Sequence, residues 1–412
     1  MVHQKQYRYV FWQNIVSPHQ VALLEAVAHS GEVDVVLVAD TAMSSDRTAG
    51  GWTAPVLHDV KTIMSPTRAA ICDLVRGSAG DCVHIVTGFS RGCRVGYLAL
   101  EELRRSKPAG CLVGVQAEPG DGRGLKGRLR WCRWRYDTWR YAKTVDFILA
   151  IGASGPPWFR SLGIDARRIY PFGYFLEQPQ PAAESVWQSG QALQLVFSGQ
   201  LIRRKGVDVL FAALATLRDE PWTLQVVGDG PERTSLESLA SALGIRDRIS
   251  FRGVMKRLDA LSVIVAADLL VLPSRWDGWG AVVSEALMCG VPVVCTDTCG
   301  ASVLLQDPSL GSVTPEGDRS ALADAFRERL RHGPLSQEDR KRIRDWSVCI
   351  LGSLAAQYLL NVISSIDGAT TPPQAPWLVR RPLSPPMTVG PHGPRSEDEL
   401  RKEPGVTRGG SS

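Results

Sequence analysis

Two acidic residues, Asp277 and Glu285, stand close together in the stretch Pro273-Ser-Arg-Trp-Asp-Gly-Trp-Gly-Ala-Val-Val-Ser-Glu-Ala-Leu-Met-Cys-Gly-Val-Pro-Val-Val. Ahead of them Leu269–Leu272 reads as a buried strand that stops at Pro273, and a helix begins near Gly280. Gly278 and Gly280 let backbone N–H groups approach a ligand with no Cβ in the way. A helix start adds unpaired N–H donors and the positive end of the helix dipole, so a phosphate is a natural guest. Asp277 falls in a loop at the carboxyl edge of a sheet, where open α/β sheets bind ligands. Glu285, more than one turn into the helix, can accept two hydrogen bonds from a vicinal diol such as that of a ribose. Taken alone, two acids near a helix start are as readily favourable dipole charges. The Gly-Trp-Gly turn and the closing Gly290-Val-Pro292 make a ligand site the better reading.

A second cluster is basic. Arg203, Arg204 and Lys205 follow the strand-like run Leu195–Ser198 and precede Gly206, which leads a helical pattern. Such a trio is ordinarily a solvated turn, but the strand before it and the helix behind place it at a sheet edge. Cations there answer negative charge that develops on a departing phosphate, without a metal. The turn Val226-Val-Gly-Asp-Gly-Pro-Glu, with Gly228, is a weak signal alone, since such turns are common.

These residues carry a resemblance. The run D-G-W-G-A-V-V-S-E-A-L-M-C-G-V-P-V resembles the donor-site signature of glycosyltransferase family 4 (glycosyl transferases group 1), E-G-F-G-x-x-x-x-E-A-x-A-x-G-x-P-V, with Asp277 for the first Glu and Trp279 for Phe. The segment from Phe197 to Asp208 resembles the family's G-R-L-x-x-x-K-G element. It puts Lys205 on the phosphate-binding lysine and Gln200 where an arginine is common. The Gly228 turn and Arg252-Gly253, a loop that often contacts the base, fix the register. The resemblance is strong over 194–330 and weak in the N-terminal half.

It implies an α/β chain of the GT-B type: two Rossmann-like domains facing across a cleft, with a C-terminal helix and a disordered tail. The implied activity is retaining transfer of a hexose from a nucleotide-diphosphate donor to an acceptor hydroxyl, with a lipid-linked glycan or polysaccharide precursor expected as acceptor. Lys205, helped by Arg203 or Arg204, would stabilise the diphosphate. Asp277, Gly278, Trp279 and Gly280 would face the sugar and diphosphate, Glu285 the ribose and Arg252 the base, with Gly199 and Gly228 beside the donor. No cofactor and no metal are expected, since no D-x-D site stands at a strand end. A GT-B epimerase or an inactive homologue acting as a binding subunit are the alternatives.

On the acceptor side, Ser17 and Pro18 suit the N-cap and first position of a helix. A loop at that sheet edge faces the cleft in GT-B proteins, which makes His19 and Gln20 candidates. Where the family often places a catalytic histidine, the run Cys111–Val115 leads instead to Glu118; His84 reads as structural. From Arg123 to Lys143 there are eight basic residues and one acid, Asp137, interleaved with Trp131, Trp134, Tyr136, Trp139 and Tyr141. That composition suits anionic headgroups or a lipid diphosphate. Single-stranded nucleic acid would use similar chemistry, but the donor signature points elsewhere. Buried aromatics with solvated arginines are the plainer alternative.

Positioning these residues requires alternating strands and helices, and the chain supplies them. Short β-branched runs at Tyr7–Phe11, Val33–Val38, Val83–Val86, Phe147–Ile151, Leu224–Val227, Ile249–Phe251 and Val293–Cys295 are separated by helical patterns, the mark of parallel sheets covered on both faces. With 412 residues, we expect an N-terminal domain over 1–176, a linker over 177–193, a donor-binding domain over 194–345, a crossing helix over 346–365 and a disordered tail over 366–412. The nine cysteines are odd in number and lack a C-x-x-C pair, which argues against a disulfide framework or zinc site. A net charge of +5 is too mild to argue for nucleic acid. The start lacks a signal-peptide pattern and no apolar run reaches a membrane span, so a cytoplasmic location, or one peripheral at the inner face of the membrane, is expected. A nicotinamide dehydrogenase is poorly supported, because no G-x-G-x-x-G follows a strand with an acid about 20 residues on.

Overall fold

The computed structural model describes residues 7–379 apart from 31–32, 45–46, 49–51, 79–80, 90–91, 179–191, 334, 367 and 369–370. The first lobe holds β1 (Arg8–Ile15), β2 (Val35–Thr41), β3 (Lys61–Met64), β4 (Cys82–Thr87), β5 (Leu112–Ala117), β6 (Phe147–Ile151) and β7 (Ile169–Phe172), in the order 3-2-1-4-5-6-7. The second holds β8 (Leu193–Ser198), β9 (Trp222–Val227), β10 (Ile249–Gly253), β11 (Leu269–Leu272), β12 (Val293–Thr296) and β13 (Gly311–Thr314), in the order 10-9-8-11-12-13. All neighbouring strands run parallel. Parallel strands need helical crossovers that cover both faces, which is why β6 (Phe-Ile-Leu-Ala-Ile) and β11 (Leu-Leu-Val-Leu) are buried along their whole length. In each sheet the strand order reverses beside the first strand of the lobe, between β1 and β4 and between β8 and β11. The loops leaving those strands therefore diverge and open a crevice.

Three strands escape the sequence reading. β3 and β13 are four-residue edge strands with few buried side chains. β7 contains Pro171, which lacks an N–H and is tolerated because β7 is an edge that, among the described strands, pairs with β6 alone. The first helix also begins later than Ser17-Pro18 suggests. The N–H of Gln20 donates to Ser17 O at 2.9 Å, closing a turn over 17–20, and the helix runs Val21–His29 with Gln20 at its N-cap.

The lobes are tied together by the end of the chain. The helix Gly352–Ile366 leaves the second lobe and packs on the helix Val21–His29 of the first, burying Ala355, Tyr358, Leu359, Val362 and Ile363. Gly352 crosses so close that a Cβ would stand 2.1 Å from Ala22 O. The Tyr358 hydroxyl donates to Pro171 O at 3.0 Å. Each large apolar side chain buried here contributes about 1.5–3 kcal/mol. The stretch 371–379, expected within a disordered tail, is instead anchored: Ala375 and Trp377 are buried, and the Trp377 ring lies 5.9 Å from both Phe175 and Trp279. One large aromatic seated in a core suffices where apolar periodicity is lacking. Residues 380–412 of that tail, and 179–191 of the expected linker, lie outside the described residues. No helix among the described residues is long and apolar enough to cross a membrane.

Candidate active site

The loops that leave β8 and β11 flank the crevice of the second lobe, and they are stapled to each other. Gly206 adopts φ 67°, ψ 24°, and a Cβ there would stand 2.0 Å from Pro273 O, so only glycine permits this approach. The Arg275 N–H donates to Arg204 O at 2.7 Å, and the Arg204 guanidinium donates to Trp276 O at 2.7 Å. Arg275 forks onto Asp208, both contacts at 2.7 Å. The hydroxyls of Thr296 and Thr298 donate to Ser274 O at 2.5 and 2.9 Å, fixing the second loop to the end of β12.

This scaffold brings Lys205 and Asp277 together. The Lys205 ammonium lies 2.5 Å from one Asp277 oxygen, and Arg204 lies 3.4 Å from the other. Both Lys205 and Asp277 are largely enclosed, so the pair is strong and well placed. Asp277 thus faces the two cations, where the resemblance implied a sugar. Gly280, at φ 90°, caps the helix Ala281–Met288 and turns its N-terminal N–H groups toward the same corner. Gly199 and Gly228 meet backbone to backbone beside it: a Cβ on Gly228 would stand 2.0 Å from Gly199 O.

Glu285, on the helix Ala281–Met288, accepts a hydrogen bond from Arg257 Nε at 3.2 Å. Burial raises its carboxyl above the usual range, opposed by the Arg257 charge. Arg203 is exposed beside Arg204, and its carbonyl is held by Arg275 at 2.8 Å. Of the expected donor contacts, the Trp279 side chain and Arg252 lie away from the cluster, while the Trp279 backbone stays in the 278–280 turn. The Trp279 ring is buried, donates to Ser284 Oγ at 3.1 Å and packs on Gly173 and Tyr174, just past β7. Arg252, on the edge strand β10, lines a separate hollow of about 430 Å³ with Gln225, Asp259 and Ser262. Another hollow, of about 580 Å³, is lined by Phe89, Tyr97, Arg133, Tyr136 and Arg140 and shares no residue with this corner.

The first lobe closes the other side. Glu118, just past β5, reaches across to Gly278: a Cβ on that glycine would stand 2.0 Å from Glu118 Oε2. The Tyr174 hydroxyl donates to Glu118 Oε1 at 2.7 Å. Although Glu118 opens to the cleft, surrounding protein raises its carboxyl above the usual range, the Asp277 charge adds to this, and the Tyr174 hydrogen bond opposes it. Tyr174 is itself raised, by burial and by the charge of Glu118. The His19 ring stacks on Tyr174 at 5.4 Å and meets Trp52 edge-on at 5.1 Å. Burial and the nearby Arg47 and Arg257 guanidinium groups lower His19 to about 4, so it is neutral at pH 7. Gln20 is buried at the helix start behind it and makes no capping bond with its side chain.

His19, Glu118, Lys205, Asp277 and Gly278 therefore belong to one constellation. Tyr174, Trp52, Arg47 and Arg257 join it without any signal in the sequence, since none lies in a motif. Arg123 bridges the lobes directly: its guanidinium pairs with Glu316, donates to Arg275 O at 3.0 Å and lies 5.8 Å over the Trp276 ring. A corner of cations and amides opposite a carboxylate, a neutral imidazole and aromatic rings can hold a phosphorylated group on one side and a sugar hydroxyl on the other.

Comparison with known proteins agrees with this division. Residues 184–346 match the family model described as "Glycosyl transferases group 1". The alpha-D-kanosaminyltransferase of Streptomyces kanamyceticus is 35% identical over 146 residues, which are 35% of this chain and 38% of that protein. The lipopolysaccharide core biosynthesis glycosyltransferase LpsD of Rhizobium meliloti is 33% identical over 200 residues, 48% of this chain and 57% of that protein. The chain thus spans between about a third and somewhat more than half the length of these curated relatives. Among solved structures, the lipopolysaccharide outer core galactosyltransferase WaaB superposes with a TM-score of 0.67 at 16% identity, covering 87% of this chain and 99% of that one. Anabaena Alr3699/HepE in complex with UDP gives 0.65 at 15%, covering 87% and 100%. These likenesses show the fold, so the chain has the two-lobed GT-B architecture of glycosyltransferases, and its residues 184–346 match the glycosyl transferases group 1.

Proposed function

We propose that this protein is a retaining glycosyltransferase that moves a hexose from a nucleotide-diphosphate donor to an acceptor hydroxyl. The observation that carries the reading is the meeting of Lys205 and Asp277 at the crevice between β8 and β11, opposite Glu118. Lys205, prepositioned by Asp277 and assisted by Arg204, stabilises the diphosphate as the bond to the anomeric carbon breaks. The N–H groups at Gly278–Gly280 hold its oxygens, and Glu285 takes the ribose. The acceptor oxygen bonds to the anomeric carbon, and its proton departs with the diphosphate. Glu118, steadied by Tyr174, positions the sugar. The cations of the chain supply the charge, so the proposal needs neither metal nor cofactor.

The acceptor is proposed to be a lipid-linked glycan or polysaccharide precursor, reached from the cytoplasmic face of a membrane. A relative acts in lipopolysaccharide core biosynthesis, and the helix Gly124–Arg140 offers a fitting surface. Leu125, Leu129, Cys132, Tyr136 and Trp139 fall on one face at helical spacing, and all are exposed. Lys126, Arg128 and Arg133 flank them. Trp131 and Trp134 pack on the core instead, and Tyr141 is buried. Cosedimentation with anionic vesicles should be lost on Leu129→Glu and persist with Leu258→Glu, an exposed leucine elsewhere.

Calorimetric titration with UDP, GDP and ADP tests the central claim. One of them should bind the wild-type protein, and Lys205→Ala should weaken it at least about tenfold, the scale of a lost charge-assisted contact. Absence of binding by all three would sink the assignment. Proton NMR of the glycoside product should show the donor's anomeric configuration.

A further inference from the structure

Past Glu118 and Tyr174, a line of ring contacts runs through His19 to Trp52, over which Arg47 lies. Arg47 Nη1 is buried and has no hydrogen-bond partner among the described residues. Its guanidinium carbon lies 5.9 Å over the Trp52 ring, and the Trp52 N–H donates to Arg47 O at 3.0 Å. No ion pair with a described residue holds it, although its charge is felt by His19, Glu118 and Tyr174. A guanidinium nitrogen withdrawn from water without an acceptor is costly to the fold. A role limited to neutralising Glu118 would be served by direct contact, but both Glu118 oxygens are turned to Tyr174 and Gly278. The diphosphate has its own cations, Lys205 and Arg204, on the opposite lobe.

We propose that Arg47 recognises an anionic group, a carboxylate or phosphate, carried by the acceptor near its reacting hydroxyl. This rests on the transferase reading and adds the substrate class. The planar guanidinium fork matches two oxygens of either anion. The rings of Trp52, His19 and Tyr174 form the walls along which the acceptor's sugar or linker would lie. His19 stays neutral there and contributes a hydrogen bond, leaving the anion to Arg47.

The protein saturated with whichever of UDP, GDP or ADP binds best is titrated with glucose, glucuronate and glucose 6-phosphate. At least one charged sugar should bind about tenfold more tightly than glucose, as a charge-assisted hydrogen bond implies. Whether glucuronate or the phosphate wins tells carboxylate from phosphate. Arg47→Gln should erase the preference and leave nucleotide affinity within about twofold; Arg47→Lys should keep part of it. Equal binding of charged and neutral sugars to the wild type would overturn the proposal. So would an Arg47→Gln protein whose nucleotide affinity falls about tenfold, which would make Arg47 a ligand of the donor. If no nucleotide binds the wild type, the transferase reading itself falls, an outcome distinct from both.

Discussion

The Glu118 carboxylate lies where any larger residue at 278 would put its Cβ. Gly278 has no positive φ, so a methyl group there strains no backbone. Gly278→Ala should therefore leave the melting temperature within about 2 °C while pushing Glu118 off Tyr174. Turnover should fall by up to about a hundredfold, the cost of displacing a positioned group by an ångström or so. Normal turnover in that variant would remove Glu118 from the machinery. At this scale the sequence was legible where residue type and local geometry solve one problem together, as at Lys205-Gly206 and Asp277-Gly278. At Trp279, expected to face the sugar and diphosphate, the ring is buried against Gly173 and only the backbone remains to do so. Tyr174, Trp52, Arg47 and Arg257 were invisible because each arrives from a separate element, and its aim is set by tertiary packing.

At the level of elements, the meeting of the two crevice loops depends on backbone contact, with side chains added to it. Gly206 sits at φ 67° with Pro273 O in the place of its Cβ, whereas Gly317, at φ 73°, faces open space. Gly317→Ala should cost about 1 kcal/mol of unfolding free energy, from the left-handed conformation alone. Gly206→Ala should cost appreciably more, on the order of 3 kcal/mol, and should also weaken nucleotide binding by parting the loops. Urea denaturation of the two variants compares them, and equal costs would show that the loops are not held by that approach. The central strands were readable because parallel sheets demand continuous apolar runs. The edge strands β3 and β13 carry too little buried surface to announce themselves, and Pro171 disguised β7.

For the molecule as a whole, one buried and one half-buried imidazole set a response to acid. His84 is fully buried, and its Nδ1 accepts from the Trp12 indole at 3.2 Å. Burial lowers it from 6.5 to about 4, and His19 is lowered to about 4 for the same leading reason. The unfolded chain binds these protons below about pH 6.5 and the folded chain only near pH 4. Their contribution to stability is thus complete above pH 6.5 and is lost as the pH falls toward 4. For His84 the loss is on the order of 3 kcal/mol. Urea midpoints at pH 7.5 and 5.0 should differ less in His84→Gln than in the wild type, and an unchanged difference would refute the assignment. The sign of this effect could not be read from the sequence, where a histidine on a strand has no stated depth.

The Trp279 ring is wedged among Gly173, Tyr174 and Trp377 at the junction of the two lobes. The turn at 278–280, proposed to grip the nucleotide, is therefore mounted on the seam between the lobes. Any shift of that turn on loading a donor would be passed to the same aromatic packing that seats the end of the chain.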